Sequence, residues 1–125
     1  LGAVTELAGT SGEELCKTMT LAKLHRPEGL HTAERRRMRY SDTDVNGHVN
    51  NTRYADFACD AVELERLPED RFLAEMQIGY LAECRPGEVL DIQVGGQGDS
   101  RFVQGLDEAG KSRFESALFF GELLP

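Results

Sequence analysis

From Ala33 onward the hydrophobic and polar positions change period twice, and those changes predict the fold. Between Ala33 and Tyr40 the side chains alternate, with Arg35, Arg37 and Arg39 on one face and Met38 and Tyr40 on the other. A period of two marks a half-buried strand, although Arg36 interrupts its apolar face. Asp, Asn and Gly then crowd a turn, after which Asn50 or Asn51 can cap a helix. Tyr54, Phe57, Ala58, Ala61, Val62 and Glu65 follow at helical steps, and all but Glu65 are apolar or aromatic. Pro68 closes that segment. Beyond it the period returns to two. Met76, Ile78 and Tyr80 alternate with Gln77 and Gly79, and Leu90, Ile92 and Val94 alternate with Asp91 and Gln93. Arg101–Asp107 and Lys111–Gly121 flank Asp107-Glu108-Ala109-Gly110, a hairpin turn with a glycine available for positive φ. Strand, helix and four further strands predict an α+β domain over residues 33–125, one apolar helix against a mainly antiparallel sheet. No internal repeat is visible.

Residues 1–32 show no sustained period. They read as a linker or the remnant of a preceding domain, with a short helix around Glu13–Leu24 and with Pro27 and Gly29 punctuating its end. The first residue is Leu1, as expected of a fragment or a trimmed chain.

Composition narrows the class. A chain of 125 residues is the size of one domain, and 40% apolar residues with six Phe and three Tyr suit a globular core. No apolar run approaches the ~20 residues that span a bilayer, and no basic segment of the secretory kind opens the chain. A net charge of −8 argues against nucleic acid as a partner, because a duplex would repel it. Positive charge is nonetheless concentrated at Arg35, Arg36, Arg37 and Arg39, with Arg53 close behind. The cysteines Cys16, Cys59 and Cys84 are widely spaced, with no CxxC pair and no His at zinc-site spacing, so a reduced, cytoplasmic setting is expected.

The turn before the helix holds the candidate chemistry. Asp44, Asn46 and His48 stand at alternate positions, bringing a carboxylate, an amide and an imidazole to a helix N-terminus that favours developing negative charge. That is the inventory of a hydrolase. A duller account exists for each member: Asp42, Asp44 and Asn46 are turn formers, and Asn50 or Asn51 is a cap.

Asp44-Val45-Asn46-Gly47-His48-Val49-Asn50-Asn51-Thr52-Arg53-Tyr54 resembles the catalytic motif of the fatty acyl-ACP thioesterases. Tyr80-Leu81-Ala82-Glu83-Cys84, ending the strand after the helix, resembles the Tyr-x-x-Glu-Cys element of the same family. The resemblance covers the layout of residues 33–125 and these two motifs in detail. It implies a hotdog fold, one long central helix wrapped by a five- to six-stranded, mainly antiparallel sheet. It implies hydrolysis of the thioester of fatty acyl-ACP, in fatty acid biosynthesis, without cofactor or metal. Asp44, Asn46 and His48 map onto the family's catalytic Asp, Asn and His, Glu83 onto its acidic partner, and Cys84 onto a cysteine of the plant members. Family members are usually two tandem hotdog domains, and this chain corresponds to the second.

Thioester hydrolysis needs an activated water, a donor for the oxyanion and charge control on the leaving thiolate. On this reading Glu83 or His48 is the general base, Asn46 positions the water or carbonyl, and Asp44 orients the His/Asn pair. Backbone N–H groups of Asn50, Asn51 and Thr52 at the helix start are expected to offer the oxyanion site. Cys84 fits a small buried residue better than a nucleophile, which would need a lowered pKa near His48. Cys59 is read as core. Arg35, Arg37, Arg39 and Arg53 either solvate a strand face or capture an acidic carrier protein and the phosphate of its phosphopantetheine arm.

Three rival readings stand beside this one. A single-domain acyl-CoA thioesterase would use the Asp of an Asp-x-Asp turn, which Asp42-Thr43-Asp44 also fits. A non-catalytic hotdog module would serve dimerisation or acyl binding. Metal-dependent hydrolysis has little behind it, because His25, His31 and His48 are scattered. Single hotdog domains normally pair with a second copy, so a homodimer or homotetramer is expected here, covering an otherwise open sheet edge.

Overall fold

A computed structural model describes residues 26–123; the helix expected around Glu13–Leu24 and Cys16 lie outside the described residues. Five strands and one α-helix follow in the expected order: β1 (His31–Arg37), α1 (Asn51–Ala61), β2 (Arg71–Tyr80), β3 (Val89–Gln97), β4 (Ser100–Leu106) and β5 (Ser112–Glu122). They form one sheet in the order β1-β3-β4-β5-β2. All four pairings are antiparallel. The β4–β5 turn is the one read from the sequence. The Asp107 carboxylate accepts the N–H groups of Ala109 and Lys111, each at 2.9 Å.

Helix α1 lies on one face of the sheet through the apolar stripe of its sequence. Tyr54, Ala55, Phe57 and Ala58 are buried, whereas Ala61 and Val62 are only half-buried. They pack with Met76, Leu90, Ile92, Val103, Phe114 and Leu118 into the main core. Tyr54 stacks on Phe114 at 5.2 Å between centroids and meets Phe57 edge-on at 6.0 Å. Each such fully buried side chain stabilises the fold by about 1.5–3 kcal/mol relative to an exposed one. A second, smaller cluster of Phe102, Ala117, Leu30 and Phe119 covers part of the opposite face.

Two expectations are corrected here. The helix is not long: it has 11 residues, about 16 Å at the α-helical rise. It stops at Val62 because Glu63 turns left-handed at φ 55° and a 3-10 turn, Leu64–Arg66, carries the chain away, taking Glu65 off the helical stripe. The first strand also ends early. Met38 is 1% exposed as its alternation requires, but Tyr40 opens a 3-10 turn, Tyr40–Asp42, and stands 86% exposed. Arg36 explains the interrupted apolar face of β1. Its guanidinium lies 4.5 Å above the Phe57 ring and bonds to Asp60 at 3.2 Å, so the stem covers the helix while the charge stays at the rim.

Candidate active site

The turn between β1 and α1 is closed by its own backbone. Thr43 and Val49 form an isolated antiparallel bridge. Within it the Asp44 N–H donates to the His48 carbonyl at 2.9 Å, and the Gly47 N–H donates to the Asp44 carbonyl at 3.0 Å. Gly47 adopts φ 77°, which favours glycine. The Asp44 carboxylate accepts the Asn46 N–H at 2.9 Å, an Asx turn that fixes the local course of the chain. Asp44 therefore shapes the loop from within. Its carboxylate makes no ion pair with the His48 ring, so the expected orientation of the imidazole by Asp44 is not what the geometry shows.

Asp42 anchors the turn to the fold. It is 7% exposed. One oxygen accepts the Arg39 N–H at 2.9 Å and the other accepts the Arg53 Nε–H at 3.0 Å. Its carbonyl accepts the Asn50 N–H at 2.8 Å, tying the turn to the helix start. Arg53 also bonds to Asp56 at 2.8 Å and lies over Phe57, so its guanidinium serves the base of the helix.

Glu83 is the carboxylate that faces His48. Its Oε2 lies 3.2 Å from His48 Nδ1, with the side chains 70% and 28% exposed respectively. At that exposure water screens the attraction, so the contact orients the ring and adds little stability. A carboxylate on Nδ1 favours the tautomer with its proton there and leaves Nε2 as the acceptor. The two segments are joined again through the backbone, where the Val49 N–H donates to the Cys84 carbonyl at 2.9 Å.

The expected oxyanion donors divide. Asn50 is the N-cap; its side chain accepts from the Thr52 N–H and hydroxyl, each at 3.0 Å. Its own N–H is held by Asp42. The Asn50 and Thr52 amides are therefore already engaged, and only the Asn51 N–H remains of the three. Asn46, which carries the candidate amide, is exposed on the turn.

Cys84 is fully buried. Burial pushes its thiol up from the ordinary range, against the pull of the Tyr54 hydroxyl and the Arg113 guanidinium. Such a thiol is a poor nucleophile at neutral pH. The buried Tyr54 hydroxyl has no hydrogen-bond partner of good geometry, and the Cys84 thiol is its polar neighbour. Cys59 is half-buried on α1, and burial, aided by Asp56 and Asp60, pushes its thiol up to about 11.

Arg35, Arg37 and Arg39 are exposed at the edge strand and make no ion pair among the described residues. Arg37 and Arg39 line an open groove of about 540 Å³ together with Tyr40, Pro86 and Gly87. His48 and Glu83 do not line it. Among the described residues no cluster of His, Cys, Asp or Glu is arranged to hold a metal ion. No helix among them is long and apolar enough to cross a membrane. The structure adds two residues that the sequence did not single out as site residues, Asp42 as an anchor and Arg113, whose guanidinium reaches the Glu83 carbonyl from thirty residues away. Nothing local in the sequence signals Arg113.

One antiparallel sheet with a helix packed on one face is a hotdog fold. Residues 26–115 match the acyl-ACP thioesterase C-terminal domain, and the chain belongs to that family. The fold is shared with an acyl-ACP thioesterase from Bacteroides thetaiotaomicron, at TM-score 0.64 and 21% identity, covering 79% of this chain and 43% of that one. It is shared with the 12:0-ACP thioesterase from Umbellularia californica, at TM-score 0.66 and 22% identity, covering 80% and 39%. A Staphylococcus aureus protein in complex with CoA superimposes at TM-score 0.65 and 18% identity, covering 76% and 77%. The chain thus spans less than half the length of the two acyl-ACP thioesterases. Comparison with curated protein sequences finds no match.

Proposed function

We propose that this chain hydrolyses the thioester of a fatty acyl-ACP, releasing the free fatty acid and the carrier thiol. The observation that carries the reading is the 3.2 Å contact between His48 Nδ1 and Glu83 Oε2, formed by two motifs distant in sequence. With Glu83 holding Nδ1–H, His48 Nε2 removes a proton from water as the oxygen attacks the thioester carbonyl. The Asn46 amide positions that water or the carbonyl, and the Asn51 N–H is the helix-start donor left for the oxyanion. As the tetrahedral intermediate collapses, the C–S bond breaks and the imidazolium returns its proton to the leaving thiolate. Asp44 acts by shaping the turn, and Cys84 takes no covalent part.

The carrier reading rests on Arg35, Arg37 and Arg39, which are exposed and make no ion pair among the described residues. Cations left free on one edge suit an acidic carrier and its phosphate. Arg53 contributes less, because Asp42 and Asp56 already hold it. In this reading residues 33–125 are the thioesterase unit and residues 1–32 a linker or domain remnant. The unit works in the cytoplasm as a homodimer or homotetramer that covers its open sheet edges. A second reading, an acyl-CoA thioesterase, is favoured by the CoA-bound relative, whose length this chain largely spans.

Turnover of acyl-ACP and acyl-CoA of equal chain length, measured in parallel, separates the readings. Hydrolysis of acyl-ACP with higher kcat/KM is expected, strongly reduced but measurable in His48→Ala and Glu83→Gln. Reversing charge at Arg35 and Arg37 is expected to raise KM for the carrier-linked substrate and spare small thioesters. Preference for acyl-CoA would overturn the carrier assignment. Acyl binding without turnover would leave a non-catalytic hotdog module.

A further inference from the structure

Glu83 lies outside regular structure, in a loop between β2 and β3, and is largely exposed, so its carboxylate needs something to hold it at His48. The ladder between β2 and β5 ends at Tyr80 opposite Phe114, which delivers the loop to Arg113. There the Arg113 carbonyl accepts the N–H groups of Leu81 at 2.9 Å and Ala82 at 3.2 Å. The Arg113 guanidinium does the rest. Nη1 donates to the Glu83 carbonyl at 2.5 Å and lies 3.6 Å from the Cys84 sulfur, while Nη2 donates to Glu88 at 2.9 Å. Nε donates to Asp107 at 2.9 Å, in the β4–β5 turn. One planar fork therefore clamps both ends of the loop to the hairpin.

We infer that Arg113 is a positioning residue that sets the Glu83 carboxylate against His48. The inference rests on the reading of His48 and Glu83 as the reacting pair. Arg113 touches the Glu83 backbone and not the substrate, so its contribution passes through Glu83. The guanidinium is also held charged: its hydrogen bond to the Asp107 carboxylate raises its pKa further, ahead of the Glu88 contribution. Lysine cannot replace it, because a single ammonium does not reproduce a fork shared among the Glu83 carbonyl, Glu88 and Asp107.

The test combines Arg113→Met with Glu83→Gln in the full chain. Arg113→Met is expected to stay folded by circular dichroism and to lower kcat roughly 10²-fold with little change in KM, as for a misplaced reacting group. In the Glu83→Gln background the same change is expected to cost nothing further, since the group it positions is already disabled. An equal loss in both backgrounds, or wild-type kcat in folded Arg113→Met, would overturn the inference. If Arg113→Met does not fold, Arg113→Lys carries the same comparison, and wild-type kcat there would overturn it too. Should His48→Ala and Glu83→Gln both keep full turnover, the functional reading fails separately. Amide exchange then still reports on the clamp: the Val49 N–H, donor to Cys84, is expected to exchange faster in Arg113→Met, and unchanged exchange refutes the clamp.

Discussion

The turn that carries His48 is closed by bonds between near neighbours, whereas the loop that carries Glu83 is held from thirty residues away. Asp44, Gly47 and the Asx bond to Asn46 close the first segment on itself, with Asp42 and Val49 tying it to Arg53 and Cys84. The second closes a short turn of its own, where the Arg85 N–H donates to the Glu88 carboxylate at 2.7 Å, but its Glu83 end is held by β5. The proposed reacting pair thus joins a largely local half to a partly borrowed half. On the proposed function, damage to the first half is expected to act locally, whereas damage far from the second is expected to reach the chemistry.

The largest expected effect removes the pair itself. His48→Ala should cut thioester turnover by roughly 10²–10⁴-fold with the fold intact, and near-wild-type rates in a steady-state assay would break the assignment. Next in size is the anchor of the local half. Asp42→Ala strips a buried carboxylate from the Arg39 N–H and from Arg53, which is 36% exposed. A loss of about 1–3 kcal/mol in urea unfolding is expected, set by the hydrogen bonds removed. Gly47→Ala probes the turn alone; its φ of 77° should make alanine cost about 1–2 kcal/mol, with a structural change confined to Thr43–Val49 in amide chemical shifts.

The borrowed half has a pH signature. Hydrogen bonds from the Lys111 N–H and from Arg113 hold the Asp107 carboxyl below its ordinary value. Its stabilising contribution is therefore fully present above the unfolded-state value of about 4 and fades as pH falls through the lowered folded-state value. The gap in urea midpoint between the wild type and Asp107→Asn should be widest near neutrality and narrow only in strong acid. A gap that widens on acidification would contradict this. The smallest effect is expected at Cys84: Cys84→Ala should keep turnover of the wild-type order, and in the wild type the Cys84 thiol should alkylate slowly at neutral pH, as its raised pKa requires.

Sequence reading reached the parts that local rules govern. The stripe Tyr54, Phe57, Ala58 and the alternations Met76/Ile78 and Leu90/Ile92/Val94 place the core, because burial enforces period on each element. Asn50 as cap and Gly47 in the turn follow from backbone chemistry. Tyr40 departs from the alternation because a 3-10 turn begins there, and no pattern of two residues announces such a turn. Helix length was overestimated because the stripe continues past Val62, while the left-handed Glu63 breaks the backbone. The different contacts of Asp44 and Glu83 are not legible either: each is a carboxylate of a short motif, and only the fold shows one on the Asn46 N–H and the other on the His48 ring. Arg113 is invisible for a similar reason, since its four side-chain contacts all come from other segments.

The wide span of the β2–β5 ladder has a kinetic consequence. Its register runs from Arg71 opposite Glu122 to Tyr80 opposite Phe114, so it closes long loops, whereas β3, β4 and β5 join successive neighbours. Long closures lose more chain entropy before any contact rewards them. The three-stranded meander is then expected to form first during refolding, with β2 docking later, as does β1 across its still longer closure to β3. Because Glu83 arrives with β2, a molecule can regain most of its sheet before it regains its pair. Enzymatic activity should return with the slowest phase, behind the recovery of secondary structure.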